Sequence, residues 1–425
     1  MSLIDKFKEP FVTFSGIGIP LYALPLLIIA GIVLLWTLSP TVARSFAEVF
    51  FFLWPVWLPL ALASATWQVW IRYRNAAWWS TQETALYEIR IPREIQKSPL
   101  AMETVLSGLH RKPGESNFYD KYVLGKFRPS WSLEIASFEG ELHFYIWGRK
   151  STRKAIENSF YGQFPEIQIV EVEDYALRMP INLNKFSVWG CQFALTKDDV
   201  YPIKTYVDYG LDRDPKEEYK IDPYANLLEF LGSIGKGEQL WVQVIIQVTP
   251  KKWRENGVKK IQEIRKEGAI PIEEGGKSML GLTEDQRKAI ESIERTTSKQ
   301  GFDVGIRGIY IAEKDHFDPA NIAGLVSMFR QFSTESLNGF KPSEGMTKYS
   351  DYPWEREKDK NETRKELLEA YKRRGYFRPP DYNEAFVLST EELATIFRLP
   401  GSSIGVPTLP RIQSATAEAP SDLPV

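Results

Sequence analysis

The chain has few of the residues by which catalytic and metal sites are usually recognised. Cys191 is the one cysteine among 425 residues, which excludes an intrachain disulfide framework and favours a reducing compartment. The three histidines, His110, His143 and His316, lie far apart and show no metal-ligand spacing with Cys191. The formal net charge of −2 argues against a basic nucleic-acid footprint over the whole chain.

A phosphate-binding loop is present only in part. Gly275-Gly276-Lys277-Ser278 copies the end of the P-loop, whose amides cradle phosphate and whose lysine reaches it. Pro271 occupies the position of the first glycine of that motif. We therefore expect no nucleotide hydrolysis and, more widely, no catalytic residue, no cofactor and no metal, so that the chain is not an enzyme. An enzyme with an unrecognised site is the least favoured alternative.

Two long apolar runs, Leu21 to Leu38 and Phe46 to Ile71, begin the chain. Each approaches the roughly 20 helical residues needed to cross a bilayer. They predict a membrane hairpin over residues 1–80, with spans at about 19–38 and 49–71. Four tryptophans can anchor the second span near the membrane interfaces, and these predicted membrane anchors are Trp54, Trp57, Trp67 and Trp70.

The cations around the hairpin predict its orientation. Lys6 and Lys8 precede the first span and Arg72 and Arg74 follow the second, while Arg44 alone lies between the spans. Because Lys and Arg near span ends are retained inside, we expect a multi-pass protein of the inner (cytoplasmic) membrane with both termini cytoplasmic. A signal peptide cleaved after Thr41-Val42-Ala43 is the rival interpretation.

Residues 84–176 predict the first soluble domain. Along this stretch the apolar residues recur at the spacing of a strand or of a helix, and the resulting order of elements, βαββαβ, is typical of a ferredoxin-like unit. Its sheet should have one face covered by helices and one face free for a partner. The predicted free face, here called the partner face, carries Glu88, Arg90, Glu134, His143, Tyr145 and Trp147. Aromatic residues on such a face can stack bases, so nucleic-acid binding is an alternative, although packing against another domain or subunit is favoured.

Residues 184–340 show a second, elaborated α+β unit of similar order. The predicted fold class is thus α+β, a two-helix transmembrane hairpin followed by two ferredoxin-like α/β-sandwich units. A charged helical extension follows at residues 341–397, and a Pro/Ser/Ala-rich tail at 398–425. An apolar cluster before this tail should dock on the body or on a motor subunit. The candidate motor-recruiting residues of this cluster are Leu388, Leu393, Ile396 and Phe397.

Several stretches after the apolar hairpin carry a family resemblance: Tyr87-Glu88-Ile89-Arg90-Ile91-Pro92, Ser98-Pro99-Leu100-Ala101-Met102-Glu103, Trp131-Ser132-Leu133-Glu134-Ile135, Leu142-His143-Phe144-Tyr145-Ile146-Trp147, Gly237-Glu238-Gln239-Leu240-Trp241-Val242-Gln243 and Leu388-Ser389-Thr390-Glu391-Glu392-Leu393-Ala394-Thr395. With them the chain resembles the amino-terminal membrane and paired ferredoxin-like region of conjugative, type IV secretion-like DNA-transfer ATPases of the candidate-phyla type. In that family the last stretch and a proline-rich segment lead into a P-loop motor, whereas this sequence stops at Val425.

The resemblance implies a non-enzymatic scaffold or anchor subunit of a conjugation or type IV secretion-like transfer machine. Its expected partners are the lipid bilayer, a separate cytosolic P-loop ATPase and further copies of itself as a homo-oligomer. The alternative is a membrane-tethered nucleic-acid-binding protein that uses the open face of the first sheet.

Overall fold

The computed structural model describes residues 12–14, 17–19, 24–92, 95, 97–111, 117–179, 185–212, 222–249, 252–267, 269–270, 279–343, 353–377, 381, 383–401 and 409–412. By internal contacts the chain divides into two compact units, Met1–Thr81 with Gly114–Phe127, and Gln82–Pro113 with Arg128–Val425. The predicted mixture of helices and an antiparallel sheet is confirmed in the second unit, which we call the body.

The helices are α1 Leu24–Leu38, α2 Pro40–Phe52, α3 Trp54–Ser80, α4 Pro99–Leu109, α5 Arg153–Tyr161, α6 Tyr175–Arg178, α7 Pro223–Gly232, α8 Lys252–Glu267, α9 Glu284–Ser298, α10 Pro319–Ser327, α11 Pro353–Arg373 and α12 Thr390–Ile396. The strands are β1 Val12–Phe14, β2 Ile17–Ile19, β3 Thr84–Pro92, β4 Ser130–Phe138, β5 Glu141–Arg149, β6 Gln168–Val172, β7 Phe186–Leu195, β8 Glu238–Val248, β9 Ala269–Ile270, β10 Met279–Leu280, β11 Gly301–Glu313, β12 Phe340–Pro342, β13 Phe386–Ser389 and β14 Arg411–Ile412.

Ten of these strands form one continuous sheet in the body. The segment β3-α4-β4-β5-α5-β6 gives the strand order β6-β3-β5-β4, and β7-α7-β8-β11-α10-β12 gives the same order, β12-β7-β11-β8. The two halves join where β4 pairs with β8 in antiparallel register, Glu134 opposite Gln243. The two predicted soluble units therefore share a single sheet. Helices α8 and α9 are an insertion between β8 and β11 of the second half.

One face of this sheet carries the main hydrophobic core. Alternating side chains such as Leu133, Phe144 and Val244 pack there with residues of α4, α5, α7, α10 and α12. Each of three helices begins with a capping side chain followed by proline: Ser98, Asp222 and Asp318 accept a hydrogen bond from a backbone amide in the first turn of α4, α7 and α10. The caps thus fix the N-terminal ends of these helices.

The predicted charged extension at 341–397 packs in part against the body. The C-terminal half of α11 buries Leu367, Leu368 and Tyr371, and these residues lie in the last two turns of an otherwise charged helix. Strand β13 then pairs with the first residues of β11, and α12 packs against α4. The C-terminal part of the extension is therefore integrated into the body on both faces of the sheet.

The apolar N-terminal region forms three helices rather than two. Within the described residues no single helix is long and apolar enough to cross a membrane. Helices α2 and α3 together have the length and the apolar composition to do so, but a bend of 68° lies between them. The predicted span at 49–71 breaks at Leu53, because Pro55 has no amide hydrogen to continue α2 and instead sits in the first turn of α3. Trp57 bonds across the bend to the Phe50 carbonyl at 2.9 Å.

Candidate functional site

The predicted partner face lies opposite the main core, on β3, β4 and β5. Glu134 is at its centre, because it pairs with Tyr145 on one side and with Gln243 on the other. The structure links four of the six predicted side chains, since Arg90 donates to Glu88 and Glu88 is hydrogen-bonded to His143, whose ring stacks 6.0 Å from that of Tyr145. The side-chain alternation along β3, β4 and β5 is therefore what predicted that these residues share one face.

The centre of this face is covered and does not form an open surface. Glu134 is fully buried, and Tyr145 and Trp147 are 6% and 7% exposed. Tyr175 of α6 stacks on Tyr145 with ring centroids 5.0 Å apart, and the Arg374 guanidinium lies 5.6 Å from the Trp147 ring. Base stacking would need exposed rings, so this arrangement does not favour the nucleic-acid alternative.

Glu134 is held by a dense set of donors. Its carboxylate accepts hydrogen bonds from Ser132 Oγ at 2.6 Å, Tyr175 OH at 2.8 Å and Gln243 Nε2 at 3.0 Å. Arg374 Nε and Nη2 complete the set at 3.0 and 3.2 Å. Burial raises the pKa of Glu134, but the Arg374 charge and these bonds outweigh it, so that the pKa lies below its ordinary value. A buried, ionised pair thus sits at the centre of the sheet.

Arg374 and Arg307 fasten the end of α11 to this centre. Arg374 also pairs with Asp174, which precedes α6. Arg307, on β11, is fully buried and donates to the Ala370 carbonyl at 2.9 Å and to the Gly375 carbonyl. A cation at the carbonyl end of a helix is stabilised by the helix dipole, although burial lowers the pKa of Arg307 to about 10. Chemically, the network can fix α11 and α6 to the sheet.

None of this network except Glu134 was among the predicted site residues. Asp174, Tyr175 and Arg307 lie in stretches that carry no motif. Arg374 directly follows the charged part of α11 and adopts a positive φ of 49°, which a sequence pattern does not show. A basic residue amid the alternating apolar residues of β11, at Arg307, is the one signal that could have suggested a buried polar contact.

The rim of the partner face remains accessible. Glu88 accepts hydrogen bonds from Arg90 at 2.9 Å and shares one with His143 Nδ1 at 2.8 Å. The His143 hydrogen bond lowers the pKa of Glu88, although partial burial opposes the shift. The side chains of Arg90 and His143 are 45% and 21% exposed. This rim is the part of the predicted face that a partner could reach.

The predicted motor-recruiting residues are part of the body's core. Leu388, Leu393 and Phe397 are fully buried and Ile396 is 1% exposed. Ser389 and Glu392 form a reciprocal capping box that starts α12, and the buried Glu391 pairs with Arg295 at 3.1 Å and Lys299 at 2.8 Å. These four side chains thus pack in the body, which is one of the two predicted docking places.

The predicted tryptophan anchors differ in their surroundings. Trp54 is 54% exposed, whereas Trp57 stacks on Phe50 with ring centroids 4.6 Å apart. Trp67 and Trp70 lie farther along α3, where they contact a later segment of the same unit. Lys277 and the rest of the incomplete P-loop lie outside the described residues. Across the described part of the chain, no group of three or more His, Cys, Asp or Glu side chains is placed to hold a metal ion.

A family match covers most of the body. The family described as "Domain of unknown function (DUF8128)" matches residues 75–409. The chain belongs to this family. None of the curated proteins matches it. The matched residues run from the last turns of α3 to Leu409, so the DUF8128 region includes every strand of the ten-stranded sheet except β14, together with the Glu134 network and α12.

Proposed function

We propose that this chain is a non-enzymatic scaffold of an inner-membrane transfer machine, related to conjugation and type IV secretion, that anchors in the bilayer and holds a separate P-loop ATPase. The observation that carries the anchor is the exposed apolar surface of α1, α2 and the start of α3. Only Arg44 and Glu48 are charged between residues 24 and 71. Exposed large side chains there are Leu27, Ile28, Ile29, Val33, Leu34, Trp36, Leu38, Phe46, Val49, Phe51, Phe52, Leu53, Trp54, Val56, Leu60 and Leu62.

An apolar surface of this extent is unfavourable in water, since soluble monomers rarely expose contiguous apolar patches beyond a few hundred Å². Burial in hydrocarbon is worth about 25 cal/mol for each Å² removed from water. The proposed occupant of this surface is therefore the bilayer. The hairpin remains the proposed form of insertion, with the bend at Leu53 as the place where its second arm turns.

The scaffold part of the proposal is supported by the body. Its two halves repeat one strand order, which is that of a ferredoxin-like unit, and we propose that they are two such units joined edge to edge. Their buried charges, Glu134, Arg307 and Arg374, are used to hold α11 and α6 to the sheet. The connection to a transfer machine comes from the family resemblance described above.

Membrane fractionation tests the anchor. When the full chain is expressed in bacteria, we expect it to stay in the membrane pellet after alkaline carbonate extraction. Thr41→Cys should react in intact cells with a membrane-impermeant thiol reagent, whereas Lys154→Cys, exposed on the body, should not react until the cells are opened. Cys191 is fully buried and gives little background. Extraction by carbonate, or the reverse labelling pattern, would contradict the anchor.

Co-purification tests the motor. We expect a P-loop ATPase of the conjugative class from the same organism to co-elute with the full chain, and the chain alone to show no ATP turnover. Deleting residues 413–425 should weaken co-elution and leave folding intact, because Leu409 and β14, which pairs with β3, are kept. Arg90→Gln, on the accessible rim, is the control variant, and we expect it to retain the motor. Full co-elution without residues 413–425 would remove the tail from the proposal.

A further inference from the structure

A later segment of the chain packs along the C-terminal half of α3. Residues 117–127 contain a single π-helical turn, and the ring of Tyr122 in this turn lies 5.3 Å from the ring of Trp67. The Tyr122 carbonyl accepts a hydrogen bond from the Trp70 indole at 2.9 Å. Two predicted membrane anchors, Trp67 and Trp70, thus contact residues 117–127 of the same chain, so that this part of α3 is not surrounded by lipid alone.

The contact continues toward the end of α3. Arg74 Nε donates to the Val123 carbonyl at 2.5 Å, and the Phe127 ring lies 4.6 Å from Trp78. Gly125 has a φ of +71°, and a Cβ there would come within 2.3 Å of the Arg74 carbonyl oxygen, so only glycine fits. Contacts at positions 67, 70, 74 and 78 follow one stripe of the helix. We call residues 67–80 and 117–127 together the collar.

The collar is basic and carries exposed aromatic rings. It contains four cations, Arg72, Arg74, Lys121 and Lys126, and one carboxylate, Asp120, which pairs with Lys126 at 2.9 Å. Three aromatic side chains lie on its outside: Tyr73, Phe118 and Tyr119 are 63%, 53% and 58% exposed.

These two properties together fit the head-group level of a membrane. Charged side chains are costly within the hydrocarbon, whereas Tyr and Trp are enriched where hydrocarbon meets water. The stretch of α3 just before the collar is apolar and exposed, with Leu60 and Leu62 51% and 57% accessible. The change from apolar to basic and aromatic along one helix therefore marks a boundary between two environments.

We infer that the collar lies at the head groups and binds anionic phospholipid. This inference rests on the proposed membrane anchor. An anionic lipid surface is the partner that suits these cations, because a basic side chain near such a surface gains roughly 1 kcal/mol, about a fivefold change in affinity. The hydrogen bonds from Trp70 and Arg74 hold the collar's two stretches together, so that cations from distant parts of the sequence act on one lipid surface.

A fluorescent label tests the position. Tyr119→Cys, labelled in the full chain and reconstituted into phosphatidylcholine vesicles, should be quenched by lipid that carries a nitroxide on its head group. Vesicles without nitroxide are the control. Quenching by a nitroxide deep in the acyl chains but not at the head group would overturn the inference, as would the absence of quenching by either lipid.

Lipid retention tests the charge. We expect the full chain, purified in mild detergent from mixed phosphatidylglycerol and phosphatidylcholine, to retain phosphatidylglycerol preferentially. Arg72→Gln with Lys121→Gln should reduce that preference by on the order of 25-fold, the product of two fivefold changes, and Arg72→Gln alone by about fivefold. Lys154→Gln with Lys236→Gln makes the same charge change at two exposed body positions and should keep the preference.

The two proposals fail in distinguishable ways. Loss of the protein from carbonate-washed membranes refutes the anchor. Protein that stays in those membranes, but shows no preference for phosphatidylglycerol or an equal loss in the body control, refutes the collar alone. The single variant at Arg72, whose side chain is exposed, keeps the test informative if the double variant does not fold.

Discussion

Replacing Arg374 by glutamine is expected to lower the free energy of unfolding of the body by about 3–5 kcal/mol, because removal of one partner leaves a buried charge uncompensated. Arg374 is 4% exposed and Glu134 is fully buried, and their atoms approach to 3.0 Å. The same change also frees Asp174. Urea unfolding of the full chain in detergent, followed by tryptophan fluorescence, measures the effect.

The neighbouring residue provides the control. Arg373→Gln makes the same chemical change one position earlier, at a side chain that is 45% exposed and pairs with Glu369 and Asp381. The Arg373 guanidinium is open to solvent although Asp381 is 9% exposed, so the cost should be about 1 kcal/mol, well below that of Arg374→Gln. Equal losses for the two variants would show that the buried network does not hold the body together. The double variant Glu134→Gln with Arg374→Gln should lose less than the sum of the single variants.

The same pair predicts a pH dependence. The pKa of Glu134 is lowered in the folded chain, so its stabilising effect is present above the unfolded value near 4.5 and is lost as the pH falls. The stability difference between wild type and Glu134→Gln should therefore shrink below about pH 4.5, by up to about 1.4 kcal/mol for each pH unit. A difference that does not change with pH would mean that Glu134 is not ionised in the folded protein.

The second large loss of folding stability is expected when the Phe397 side chain is truncated. Phe397→Ala should cost about 3–5 kcal/mol, because it removes a fully buried ring and leaves a cavity. The ring lies 6.2 Å from that of Phe144 in β5, so the cost reports the attachment of the C-terminal segment to the first half of the sheet. Thermal unfolding of the full chain measures it.

A leucine pair supplies the matched control for this segment. Leu393→Ala, at a fully buried position on α12, should cost about 2–5 kcal/mol. Leu177→Ala, at a position that is 66% exposed, should change stability by no more than about 0.5 kcal/mol. If Phe397→Ala and Leu393→Ala left stability unchanged and abolished motor binding, these side chains would recruit a partner as the sequence suggests, and their burial in the body would be wrong.

Some features of the fold can be predicted from short stretches of the sequence. The alternation of Leu133, Ile135, Phe144 and Ile146 with polar residues indicates which face of β4 and β5 is covered, because a strand has a period of two residues. The capping residue and proline at the start of α4, α7 and α10 are likewise a local signal of where those helices begin. These features depend on neighbouring residues only.

The remaining features depend on residues that are far apart in the sequence. The pairing of β4 with β8 places Glu134 opposite Gln243, and two polar residues within otherwise regular strands do not indicate each other. Helix α11 appeared to be a surface helix because charge dominates its composition, yet Leu367, Leu368 and Tyr371 suffice to bury its last turns. Arg374 reaches Glu134 across 240 positions. No periodicity reports such a contact.

The location of Leu388 to Phe397 within the core has a consequence for synthesis. Helix α4, near the start of the body, packs against α12, which the ribosome makes almost 300 residues later. At a translation rate of about 5–20 residues per second, the apolar surface of α4 remains without its α12 partner for on the order of 15–60 seconds. The apolar helices α1 to α3 leave the ribosome before either. A nascent chain of this protein is therefore expected to need both early delivery to the membrane and a chaperone that shields α4 until translation is nearly complete.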